Sequence, residues 1–367
     1  MDKESSGNNH LYCFHKKDIK FTLPHWMITS GCIRDWSQVK DVAVLKVSWP
    51  QAAKRNLEAR MFSACTGDFG SPDHIMSFEA CYEDGRPVSN SIFLSSANDN
   101  LETVFWNLHG AKPPLVYPKT DFRSLSFGLT RDEGETLENC ASAFELMECL
   151  LHSMLGWLDL YQHGFVHRDI SIGNILKSKS EVLGAKQFGQ MGIWQDMAGY
   201  FESAHDGTMS GTPQFMSKGL LNAESENEIQ SPADDIESFL RVGLWSTLRN
   251  TKFPNSAKKE IRWSQSIGQG YTSRETTAND IQESLGTIIK GVPEPYSNMF
   301  RTMAPILSEW FDAIRRLRKA WILDWSETNQ DDSEDVNLLF HSFAYRGVLD
   351  LIEIFQKHKQ DLEKTVS

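Results

Sequence analysis

The chain contains no run of about 18 apolar residues, so the sequence predicts no membrane span. Its first ten residues, MDKESSGNNH, hold no apolar core, and no secretory signal is expected from them. Its 6 cysteines (Cys13, Cys32, Cys65, Cys81, Cys140 and Cys149) form no CxxC pair and show no zinc-finger spacing. They are expected to be reduced thiols, as in an intracellular protein of the cytoplasm or nucleus. Positive charge is in deficit: 37 Lys and Arg stand against 49 Asp and Glu, a net charge of −12. Nucleic-acid binding needs a basic surface to meet phosphates, so no nucleic-acid partner is expected. Internal repeats and low-complexity tracts are missing too, which argues against a solenoid or a propeller.

What is present is ordinary globular composition over 367 residues, 40% hydrophobic and 23% charged. That length favours two domains or one two-lobed unit. Residues 1–20 read as a polar arm. DVAVLKV (41–47) is a β-branched run that predicts a strand. SWPQ (48–51) then has capping-box spacing ahead of AAKRNLEARMFSAC, where Leu57, Met61 and Cys65 recur every four residues on one helical face. Residues 66–122 are rich in Gly, Pro, Asn and Asp and predict short strands with long loops. RSLSFGLT (123–130) alternates as a strand does.

From about residue 142 the pattern turns helical. SAFE (142–145) is a capping box opening FELMECLLHSMLGWLDLYQ, a long and mostly buried helix. SPADDIESFLRVGLW (231–245) offers Ser as N-cap and Pro at the first helical position. Residues 300–322 and 336–356 predict further helices around an acidic linker, and the Trp-rich last 60 residues read as core. A strand-rich first third before a helical remainder predicts an α+β chain: arm 1–20, a small lobe 21–130 and a large helical lobe 131–367.

Directly after the buried helix, within GFVHRDISIGNIL, lies HRDISIGN (167–174). Its Asp169 and Asn174 are the residue types that phosphoryl transfer needs on one loop. A carboxylate orients and deprotonates the attacking hydroxyl, and oxygen ligands hold Mg2+ against the moving phosphate. Asp and Asn also form turns, so the spacing alone is weak and the full HRD plus Asn is what carries weight. Upstream, Lys46 ends the strand VAVLK and Glu58 follows twelve residues later in the next helix. Such a pair can grip the α- and β-phosphates of a nucleotide, with Val44 on the same strand face against the base. A surface Lys and a solvated Glu are the bland alternative. Asp235, at the start of an apolar helix, reads either as favourable N-terminal helix charge or, by the resemblance given next, as a structural acceptor of backbone N–H groups from the HRD loop.

These stretches together resemble the fungal-type protein kinases, a branch of the eukaryotic protein-kinase-like fold. The residues carrying the resemblance are VLKVSWP with EAR (44–60), GETLENCASAFEL (134–146), HRDISIGNIL (167–176), GTPQFM (211–216) and DDIESFLRVGLW (234–245). The resemblance implies a bilobal fold, ATP and Mg2+ as cofactors and a protein Ser/Thr hydroxyl as acceptor. It makes Asp169 the catalytic base, Lys46 and Glu58 the phosphate-holding pair, and Asn174 a metal ligand. Arg168 would read a phosphorylated segment, with Ser203, Thr208, Ser210 and Thr212 as candidate sites. The D-x-x-x-GNIL ending also resembles small-molecule phosphotransferases of the aminoglycoside type, against which Arg168 argues.

Three family features are missing. No DFG follows Asn174; in GIWQDMAGY (192–200) either Asp196 takes the second metal position, or alignment on DMA puts Trp194 there, which cannot bind Mg2+. Ahead of Lys46 only Gly31 is available to a phosphate-covering loop. Gly219 stands where the Glu of A-P-E is expected. A pseudokinase, keeping the fold as a binding or scaffold module, therefore stands beside the enzyme. The oligomeric state is not legible in the sequence.

Overall fold

The computed structural model describes residues 10–15, 42–50, 57–65, 69–70, 74–81, 87–88, 123–130, 134–178, 195–196, 212–221, 230–291, 295–330 and 332–365. Chain contacts divide it into two compact units, Met1–Ser63 with Asp73–Glu133, and Ala64–Pro72 with Gly134–Ser367.

The first unit is built on a four-stranded antiparallel sheet. Its strands are β1 (His10–His15), β2 (Val42–Ser48), β3 (His74–Glu79) and β4 (Ser126–Thr130), in the order β1-β2-β4-β3. The predicted strands at 41–47 and 123–130 are β2 and β4. In β2, Lys46 lies opposite Leu11 on one side and Gly128 on the other. Phe78 and Phe127 stack across β3 and β4 with ring centroids 5.1 Å apart, a cross-strand aromatic pair. Helix α1 (Leu57–Ala64) follows β2, and its Met61 is 1% exposed, as the four-residue spacing predicts.

The second unit is helical. It comprises α2 (Ala143–Gln162), α3 (Lys218–Leu221), α4 (Pro232–Leu248), α5 (Lys258–Ser266), α6 (Tyr271–Ile289), α7 (Asn298–Glu327) and α8 (Ser333–Glu363). Two small strand pairs flank the segment after α2: β5 (Gly134–Thr136) with β7 (Leu176–Ser178), and β6 (Phe165–Val166) with β8 (Gln195–Asp196). Helix α2 starts as predicted, the Ser142 hydroxyl accepting from the Glu145 N–H at 3.1 Å. The Glu145 carboxylate closes the turn on the Ala141 N–H at 2.7 Å, one residue before the usual capping-box donor.

Helix α4 is buried on nearly every side, and α2, α7 and α8 pack around it. Its cap is tight: the N–H and hydroxyl of Ser231 both donate to Asp234 Oδ2, at 2.7 and 2.6 Å. Of the late tryptophans, Trp310 and Trp321 are core residues at 1% and 8% exposure, Trp325 is half-buried, and Trp321 meets Phe340 and Phe343 edge-on. No described helix is long and apolar enough to cross a membrane.

Candidate active site

The HRD loop runs from the end of β6 to β7. His167 is fully buried, and its Nδ1 accepts the Asp169 N–H at 3.1 Å, which folds the loop back on itself. Arg168 takes a φ of 67°, a left-handed conformation uncommon outside glycine. Such strain persists only where the surroundings over-determine it. Here Arg168 Nε donates to Gln230 Oε1 at 3.3 Å, and the Arg168 N–H donates to the Asp235 carboxylate.

Asp235 is the anchor below the loop. It is 1% exposed and accepts from Trp157 Nε1 at 3.0 Å and from Gln230 Nε2 at 3.1 Å. Burial pushes its carboxyl up to about 7, reinforced by neighbouring Asp234, while the Trp157, Arg168 and Gln230 donors pull the other way.

Asp169 is held on both carboxylate oxygens. Oδ1 accepts from the Thr212 N–H and the Thr212 hydroxyl, each at 2.7 Å. Oδ2 accepts from Asn174 Nδ2 at 3.1 Å, and the same Nδ2 donates to the Asp169 carbonyl at 2.7 Å. With its amide nitrogen turned to Asp169, Asn174 presents Oδ1 to any cation nearby, the hard oxygen donor that Mg2+ accepts. Asp169, Asn174 and Arg168 are thus drawn into one constellation. Asp196 lies in β8 with its backbone opposite Phe165, four residues before Asp169. Lys46 and Val44 lie on β2 and Glu58 on α1, in the first unit. Gly31, Trp194, Ser203, Thr208 and Ser210 lie outside the described residues.

Sequence reasoning missed the tie between Thr212 and the HRD loop: the hydroxyl offered as a candidate phosphosite donates to Asp169. The segment behind it is anchored by a relay of ion pairs. Arg274, 2% exposed, donates to the Pro213 carbonyl at 2.5 Å and pairs with Glu275 at 2.7 Å. Glu275 pairs with Arg241 at 2.8 Å, and Arg241 with Glu237 at 2.5 Å. Glu237 also takes Arg318, which reaches Asp234 at 2.9 Å.

This cluster explains Gly219. A Cβ there would lie 2.1 Å from Arg318 Nη1, so the missing side chain makes room for the guanidinium. Arg318 takes its two carboxylates, Asp234 and Glu237, from α4. Burial raises the Glu237 carboxyl, but Arg241, Arg318 and the Lys218 N–H outweigh it and hold it down at about 2.

The two buried carboxylates predict opposite pH dependences. Glu237, depressed below its usual 4.5, adds stability above that value which disappears as pH falls towards about 2. Asp235, raised from 3.8, adds stability below 3.8 which is lost as pH rises through about 7. Melting temperature recorded against pH should show both limbs. Glu237→Gln should flatten only the acid limb and Asp235→Asn only the neutral one; unchanged limbs would refute the assignments.

A family model described as fungal protein kinase matches residues 28–247. The chain belongs to the fungal protein kinase family. That match takes in Lys46, Glu58, Asp169, Asn174 and Asp196, and ends before Arg274 and Arg318. Kinase-type phosphotransfer is the activity class that membership implies for this fungal protein kinase homologue, and α+β is the fold class its mix of helices and small sheets fits. No curated protein matches the chain.

Proposed function

We propose that this member of the family is an ATP- and Mg2+-dependent protein kinase that phosphorylates Ser or Thr hydroxyls. The observation that carries the reading is the Asp169 carboxylate, fixed by Thr212 on one oxygen and Asn174 on the other. A base held this way is oriented before the substrate arrives, so little is lost in ordering it at the transition state. Asp169 accepts the proton of the attacking hydroxyl. Lys46 neutralises the α- and β-phosphates, Glu58 holds Lys46, Val44 lines the base pocket, and Gly31 turns the chain over the phosphates. Asn174 Oδ1 and Asp196 are the residues that would hold Mg2+, which supplies positive charge for the transferring group. Arg168 is a positioning residue, acting through its backbone on Asp235 and its side chain on Gln230. In this reading residues 21–130 form the small lobe and 131–367 the large one; the stretch 1–20, expected as an arm, contributes β1 to the sheet of the small lobe.

A second reading has a specific observation behind it. Asp196 sits inside a strand pair, where its backbone is committed to the ladder with Phe165, and Trp194 takes the metal position when the segment is aligned on DMA. A chain with one metal ligand would bind nucleotide weakly or not at all and act as a scaffold.

Thermal shift with ATP plus Mg2+, Mn2+ or EDTA separates the two, followed by transfer of γ-phosphate to a Ser/Thr peptide library. A nucleotide at 100 times its Kd adds about 2.7 kcal/mol, or roughly 5–10 °C for a unit of this size. A metal-dependent shift with transfer supports the kinase. A shift without transfer favours the second reading, and no shift with any metal overturns nucleotide binding altogether.

A further inference from the structure

Away from the HRD loop, three residues with metal-binding side chains meet at the end of α2. Cys65, Asp159 and His163 each bring one ligand atom within 4.8 Å of the others. Asp159 and His163 are one turn apart, and Cys65 comes from the chain just after α1. All three belong to the second unit.

Their meeting is fixed by more than proximity. Along α2, His152, Gly156, Asp159 and His163 follow at steps of four, three and four, a single helical stripe. Cys65, Phe69 and Gly70 each meet that stripe. Phe69 packs edge-on against His152 with ring centroids 4.9 Å apart. Gly70, at a φ of 78°, approaches Gly156 so closely that a Cβ on either would lie 2.8 Å from the other's backbone. Two glycines facing each other let the backbones touch, and Cys65 lies over the last turn of the same helix.

We propose that Cys65, Asp159 and His163 form a zinc site. A thiolate, an imidazole and a carboxylate are a donor set that suits Zn2+; Mg2+ and Ca2+ take oxygen ligands. Around a tetrahedral Zn2+ with bonds of about 2.0–2.3 Å, ligand atoms stand roughly 3.3–3.8 Å apart. His163 Nδ1 and Asp159 Oδ2 are already 3.8 Å apart. Cys65 is 2% exposed and His163 36%, so the ion has a buried sulfur on one side and an open fourth position towards water on the other. Binding replaces the Cys65 S–H proton by the metal and releases that proton to solvent. One thiolate and one carboxylate then neutralise the dication, leaving no net charge in a half-buried place. The competing arrangement is the one without metal: His163 caps its own helix, with Nδ1 3.0 Å from the Asp159 carbonyl, and Cys65 is an ordinary core thiol.

The site is independent of any nucleotide chemistry, and so is its test. The whole chain, stripped with EDTA under reducing conditions, is titrated with Zn2+ against a chromophoric chelator, and with Co2+ while absorbance is followed. The proposal expects one equivalent of tight Zn2+, a thiolate-to-cobalt charge-transfer band, and a rise in melting temperature with Zn2+. His163→Gln changes an exposed side chain and leaves the fold intact; it should weaken Zn2+ at least tenfold. Cys65→Ala should remove the cobalt band. Zinc affinity unchanged in His163→Gln, or a cobalt band that survives Cys65→Ala, overturns the site and moves any metal to other cysteines.

Discussion

Asp169→Asn should lower phosphate transfer by about 10²–10⁴-fold while leaving the chain folded. The loss of a proton acceptor accounts for the rate. The stability cost is small because most of the contacts survive. An amide oxygen in place of Oδ1 still accepts from the Thr212 N–H and hydroxyl. The new NH2 then faces Asn174 Nδ2, donor against donor, and Asn174 cannot turn over without giving up its bond to the Asp169 carbonyl. One poor contact of this kind costs about 1 kcal/mol, so melting should move by a few degrees at most.

Thr212→Val discriminates further. It removes the hydroxyl donor and keeps the backbone donor, so the carboxylate stays bound on one bond and loses its exact aim. A hydrogen bond to a charged group is worth about 1.5–3 kcal/mol, or roughly 10–150-fold if all of it is felt in the transition state. The loss should fall on kcat with little change in peptide KM. If Asp169→Asn transfers phosphate as well as the parent, Asp169 is not the base and the kinase reading fails. If Thr212→Val is silent while Asp169→Asn is dead, the base stands and its orientation by Thr212 does not.

The contrast between these two residues shows what a sequence makes legible. HRDISIGN could be read because its chemistry is contiguous: Asp169 and Asn174 are neighbours on one loop, and the spacing carries the geometry. Thr212 lies 43 residues further on, and only the fold brings it to Asp169. In sequence it is one hydroxyl in a Ser/Thr-rich stretch. Trp157 was hidden differently. Within an apolar helix it reads as core, which it is at 0% exposure, yet its indole N–H goes to Asp235. Gln230 stands just before the N-cap Ser231, and no pattern in the sequence ties it to Arg168.

Among the elements, α2 and α4 were legible because their apolar faces and caps agree. α5 and α6 were not. In α6 the buried stripe is Arg274, Thr277, Ala278, Ile281, Ser284, Leu285 and Ile288, so its first turns are polar and no apolar period announces them. The α7–α8 boundary shifted for a related reason: the acidic linker expected there holds the N-cap of α8, Asp332, which accepts from the Glu334 and Asp335 N–H groups. Acidic residues favour a first helical turn as much as they favour solvent.

Arg318→Ala should cost about 3 kcal/mol of stability, or roughly 6–12 °C in melting temperature for a unit of this size. The guanidinium meets Glu237 Oε2 at 2.5 Å and Asp234 Oδ1 at 2.9 Å. Deleting it leaves both carboxylates buried with fewer cations: Glu237 keeps Arg241, and Asp234 keeps only the hydroxyls of Ser217 and Ser231 and the Ser231 N–H. RRLRK holds three arginines, Arg315, Arg316 and Arg318, and it is Arg318 that pairs with α4. Arg318→Lys should recover part of the loss, because an ammonium carries the charge but cannot span two carboxylates as the planar fork does. Gly219→Ala tests the same contact from the opposite side. Its methyl takes the space of Arg318 Nη1, so it should destabilise by expelling the guanidinium rather than by straining its own backbone. The double variant decides between these causes. If expulsion is the whole effect, Gly219→Ala costs almost nothing once Arg318 is alanine, and the two losses fall well short of their sum. Losses that add would mean that the glycine serves its own turn rather than making room for the Arg318 guanidinium.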